Sequence, residues 1–112
     1  MEQKDLGKTS TGMQANVEAT LSYLIGFITG LIFYLIEKEN KFVRFHALQS
    51  LITFLGLYVV EVVIGTFPFV GLTFSSLLAV ISIVLWIICM IKAYQGEMFK
   101  LPIAGDIAEK NS

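Results

Sequence analysis

His46, Gln49, Ser50, Thr53 and Glu61 are the residues whose types and spacing could do chemistry. At 100° per residue they fall within ~120° of one helix surface, inside an otherwise apolar run. His46 is the only imidazole and titrates nearest neutral pH, so it could pass protons along a line with Gln49 and Glu61. Helix geometry separates His46 from Glu61 by ~22 Å, so water or other helices would have to connect them. The competing reading puts His46 at the headgroup level beside Arg44, bonded to a carbonyl or a lipid phosphate. Glu61 divides the same way. An ionisable group inside a span is a functional candidate, yet Glu61 lies shortly before Pro68 and could reach the outer headgroups.

Other chemistry has little to stand on. There is no second histidine for a metal site and no nucleophile with a base at readable spacing. No glycine-rich phosphate loop and no carboxylate pair within a span occur either. The expectation is therefore no enzyme, no cofactor and no bound metal. A net charge of −1 argues against a nucleic-acid partner, which needs a concentrated basic face. Cys89, the single cysteine, excludes an internal disulfide and sits in an apolar run as a packing residue.

The elements that must position these residues are helices in a bilayer. Apolar residues make up 55% of 112 and charged residues 15%, more apolar surface than a soluble domain this small could bury. Three charge-poor runs stand out, at about 19–36, 46–67 and 71–93. At ~1.5 Å per residue each is long enough to cross ~30 Å of hydrocarbon. The expected fold is all-α, a polytopic helical membrane protein with three transmembrane helices. Residues 1–15 read as a mobile polar tail, 16–94 as the membrane domain, and 95–112 as a cytoplasmic tail, partly interfacial. No signal peptide is evident.

Small residues mark candidate packing faces. Ser22, Gly26 and Gly30 recur every four residues in the first run, and Ser75, Ala79 and Ser82 share a face of the third. Lys38, Lys41 and Arg44, between the first two runs, could touch anionic lipid headgroups. With three spans, Lys38, Lys41, Arg44, Lys92, Lys100 and Lys110 share one side, against Lys4 and Lys8 on the other. The positive-inside rule then predicts N-terminus out and C-terminus in, in a multi-pass protein of the cell membrane.

The segment Glu-Lys-Glu-Asn-Lys-Phe-Val-Arg-Phe-His-Ala-Leu-Gln-Ser over 37–50 resembles the signature of small uncharacterised archaeal and bacterial membrane proteins. The segment Ala-Tyr-Gln-Gly-Glu-Met-Phe-Lys-Leu-Pro-Ile-Ala-Gly-Asp over 93–106 resembles their closing segment. These proteins are grouped with a chloroplast inner-envelope import component as a Tic-twenty-like superfamily. The resemblance implies a polytopic membrane protein with no established activity. Together the readings favour a structural or interaction subunit whose partners are the lipid bilayer and other membrane proteins or itself. The alternative is a homo-oligomeric channel or transporter lined by the polar stripe of the second helix.

Overall fold

Gly26 divides the first apolar run. In the computed structural model, which describes residues 6–69 and 71–112, Gly26 has φ 59° and ψ −131°. A side chain is not tolerated in that conformation. Helix α1 (Ala15–Leu24) ends just before it and α2 (Phe27–Ile36) starts just after it. The Thr29 hydroxyl spans the break, donating to the Ser22 carbonyl (3.1 Å) and accepting the Ile25 N–H (3.1 Å). Two backbone groups freed by the break are thus satisfied without water, as an apolar medium favours.

The chain turns back at this break. Ser10 and Thr11 are adjacent, yet they bind Glu37 and Glu18 respectively. One continuous helix would hold those two carboxyls ~28 Å apart. Along α1, Asn16 donates to the Tyr94 carbonyl and the Tyr23 carbonyl accepts from Trp86. Along α2, Phe27 meets Tyr58 at one end and the Tyr34 carbonyl meets Arg44 at the other. The run expected as the first transmembrane helix, 19–36, is therefore corrected to a helical hairpin. Each arm is ~15 Å long, about half the hydrocarbon thickness.

Helices α3 (Lys41–Gly65) and α4 (Gly71–Tyr94) are apolar and long enough to cross a membrane, with mean hydropathy 2.0 and 2.7 over an 18-residue stretch of each. Helix α3 starts earlier than the expected 46 because Asn40 caps it, its Oδ1 accepting the Val43 N–H at 3.0 Å. At the charged ends of the long helices, α1 packs against both α3 and α4, while α2 lies against α1 and α3. Gly30 lets α2 approach closely: a Cβ there would lie 2.8 Å from the Ala47 carbonyl oxygen and 2.9 Å from the Leu51 nitrogen.

After α4 the chain crosses α3 as a strap and turns at Ile103 (φ 67°), where the Ala104 N–H closes on the Pro102 carbonyl. Helix α5 (Ala104–Asn111) then packs on α3, with Ala108 among Phe45 and Leu48. The buried residues of α3 all lie between Phe42 and Ser50. Beyond them Val59, Val62, Val63, Leu77 and Val80 are exposed, a surface suited to lipid rather than water. The described basic residues gather at the opposite end, with both described chain ends.

Candidate functional site

The polar stripe of α3 splits in two. Its lower part is consumed by the fold. His46, Gln49 and Ser50 are fully buried. Gln49 donates to the Tyr23 hydroxyl (2.9 Å) and to the Phe99 carbonyl (2.8 Å), while its Oε1 accepts the Leu101 N–H (2.8 Å). The Tyr23 hydroxyl is hydrogen-bonded to His46 Nδ1 (2.8 Å), and His46 Nε2 faces the Glu97 carbonyl (2.8 Å). Since the Glu97 carbonyl can only accept, the ring proton sits on Nε2, and Nδ1 accepts from the Tyr23 hydroxyl. Phe42, Phe45 and Tyr23 stand edge-on around the imidazole. Ser50 donates to the Gly26 carbonyl at the break. These side chains hold two stretches of irregular backbone, the hairpin tip and the strap.

The upper part opens outward. Glu61 Oε2 accepts the Ser75 hydroxyl at 2.5 Å, which ties α3 to α4. Glu61 Oε1 and Thr53 Oγ1 are shielded from solvent and have no hydrogen-bond partner in the protein. Glu61 lines an open groove of about 380 Å³ with Gly26, Phe27, Phe54, Tyr58, Ala79 and Ser82. Glu61 thus lies apart from the His46 network, and the line of proton carriers from His46 to Glu61 is not assembled within the chain.

The remaining expected residues divide between packing and exposure. Ser22 is buried and donates to the Glu18 carbonyl. Gly26 makes the break while Gly30 makes the contact with α3, so the two glycines do not form one continuous helix face. Ser75 serves Glu61, and Ser82 returns its hydroxyl to the Leu78 carbonyl. Lys38 and Lys41 are exposed. Arg44 is turned inward: its guanidinium donates to the Tyr34, Glu37 and Ser112 carbonyls and lies 4.3 Å over the Tyr34 ring. It closes the carbonyl end of α2 and anchors the C-terminus.

One pair was not legible in the sequence. Glu18 and Glu37 are both fully buried where the hairpin's two ends meet. Glu37 accepts the Ser10, Glu39 and Asn40 N–H groups. Glu18 accepts the Thr11 hydroxyl at 2.6 Å, and its Oε2 has no donor of its own. A proton on Glu18, donated to the neighbouring Glu37, would satisfy both carboxyls. Burial, with the neighbouring Glu37 carboxylate adding to it, raises the Glu18 pKa to about 7. Burial also works to raise Glu37, but hydrogen bonds from Glu18, Ser10 and Glu39 outweigh it and lower its pKa to about 2.

The two shifts act on stability in opposite windows. Glu18, raised from 4.5, contributes fully below that value and loses its contribution as pH rises through about 7. Glu37, lowered from 4.5, contributes above that value and loses its contribution as pH falls towards about 2. Raising pH from 5 to 8 is therefore expected to lower unfolding stability by ~2–3 kcal/mol. Glu18→Gln, a permanent mimic of the protonated acid, is expected to flatten that dependence in thermal unfolding scans. A wild-type protein equally stable at both pH values would refute the shared proton.

Residues 8–108 match the Magnetosome magnetite crystal formation protein family. The chain belongs to this family. The match takes in the hairpin, both long helices, the strap and most of α5. A UPF0132 membrane protein of Methanocaldococcus jannaschii is 52% identical over 107 residues, 96% of each chain. One from Archaeoglobus fulgidus is 46% identical over 98 residues, 88% of this chain and 95% of the relative. A second from M. jannaschii is 48% identical over 99 residues, 88% of this chain and 71% of the relative. No solved structure matches the chain. The family is one of small membrane proteins, and these relatives' names state no activity.

Proposed function

We propose that the chain is a structural or interaction subunit of the cell membrane, with α3 and α4 as complete spans and α1–α2 as a re-entrant hairpin. The observation that carries the role is the outer half of the molecule. There α3 and α4 stand without a third helix, and Gly56 and Gly65 have open space where a side chain would be. Small residues on lipid-facing helices allow close approach of other membrane helices. Gentle extraction followed by mass determination of the intact particle tests this. Companion proteins would support it, and a lone monomer would overturn it.

The orientation follows from charge. Lys8, Lys38, Lys41, Arg44, Lys92, Lys100 and Lys110 all belong to the end that carries both described chain ends. The turn between α3 and α4 has none. The positive-inside rule then places both ends in the cytoplasm, in place of the N-out, three-span arrangement. Lys38 and Lys41 are free there to meet lipid headgroups. Cysteines introduced at Ser10 and Ser112 should react with an impermeant maleimide only after permeabilisation, and one at Phe69 from outside. Opposite labelling of Ser10 and Ser112 would restore three spans.

The family description names magnetite crystal formation in magnetosomes. That description is of the family and assigns this chain no step, and the resemblance to the Tic-twenty-like superfamily implies a polytopic membrane protein with no established activity. A second reading, a homo-oligomeric channel or transporter, draws on the unpartnered Thr53 and Glu61 oxygens. A homo-oligomer without companions would favour it.

A further inference from the structure

The groove above the hairpin tip combines a carboxylate with aromatic walls. Its floor is the break at Gly26, where the hairpin stops midway along α3 and α4. Phe27, Phe54 and Tyr58 form one side, with the Phe27 and Tyr58 ring centroids 5.7 Å apart. Ala79 and Ser82 are small enough to leave depth on the α4 side. At about 380 Å³ it falls in the size range of sites for compact organic molecules. A second depression, of about 240 Å³, continues from it past Gly26, Phe54 and Ser82 to Trp86.

Glu61 sets the chemistry of this space. Among the described residues it is the one charged side chain in this half of the molecule. Ser75 occupies one carboxyl oxygen, and the other has no partner. That oxygen is buried, so an occupant of the groove compensates its charge through space, and a lipid chain would cover the apolar walls but compensate nothing. A small metal ion would need more ligands, and no group of three or more His, Cys, Asp or Glu side chains that could hold one occurs among the described residues. A cation with an apolar body satisfies every wall at once. Its charge meets Glu61, its body replaces lipid, and the ring faces attract positive charge through their quadrupoles.

We propose that this groove is a binding site for lipophilic organic cations of the tetraaryl or quaternary ammonium class. The proposal stands apart from the assembly reading, since it needs one copy of the chain and no partner protein. Trp86, the single tryptophan, lines the adjoining depression and reports occupancy.

The test uses the full chain in lipid nanodiscs, titrated with tetraphenylphosphonium while Trp86 emission is followed. Saturable quenching is expected, and Glu61→Gln, which removes the charge attraction, should weaken it by about tenfold or more. The neutral analogue triphenylphosphine oxide should bind poorly. Ala79→Phe, which fills the groove and leaves the carboxylate in place, should also abolish quenching. It decides the matter if the glutamine variant fails to fold. Absence of saturable quenching, as expected if lipid or a second copy fills the groove, would overturn the proposal. So would equal affinity in Glu61→Gln, equal affinity for the neutral analogue, or binding retained in Ala79→Phe.

Discussion

Gln49→Leu is expected to release the strap that follows α4. The leucine fits the volume but leaves the Leu101 N–H and the Phe99 carbonyl unpaired and removes the donor to Tyr23. Each buried group left without a partner costs ~1–3 kcal/mol, so a total loss of about 3–5 kcal/mol is expected. The loss should be local as well as global. Lys100 lies in the strap, and trypsin cleavage after it should accelerate at least about tenfold, as a loss of ~1.4 kcal/mol in local closing would produce. His46→Leu should release the same segment through Glu97, because the two side chains share the Tyr23 hydroxyl. The double variant should therefore lose less than the sum of the single losses. Unchanged cleavage in both would show that α5 alone holds the C-terminus.

Gly30→Val is expected to push α2 off α3. Two of the nearest obstacles to a Cβ there, at 2.8 and 2.9 Å, are backbone atoms of α3, which cannot swing aside as a side-chain end can. Overpacking of this kind costs ~1–3 kcal/mol or more, and the upper end applies where backbone must move. A cysteine placed at Ser50, under α2, should become reactive to small maleimides in the same variant. Gly56 is the control, because nothing lies within 4 Å of a Cβ there. Gly56→Val should be nearly neutral in the monomer. Equal effects at the two glycines would refute the close approach of α2.

Both predictions concern residues whose importance was visible in the sequence and whose task was not. The stripe of His46, Gln49 and Ser50 had to face protein, because amides and imidazoles are costly against lipid. Which protein it faces depended on a strap fifty residues away in sequence, whose backbone groups carry no sequence signal. Glu18 and Glu37 read as the edges of one span. Their pairing exists only because the chain reverses between them, so hydropathy placed at opposite faces of the membrane two carboxyls that are buried together.

Determined by the sequence alone were the membrane setting, the two long helices, the basic loop between the apolar runs and the inward face of His46, Gln49 and Ser50. Each follows from local transfer energies: an uncharged run of sufficient length favours hydrocarbon, and a charge favours its edge. The tertiary structure decided that the first apolar run turns back. A straight helix and a bent one bury the same apolar side chains in lipid, so hydropathy does not separate them. The difference lies in where the broken backbone finds hydrogen bonds, at Thr29 and Ser50, and in how closely Gly30 lets α2 lie against α3. Those terms exist only once α3 and α4 stand beside the hairpin.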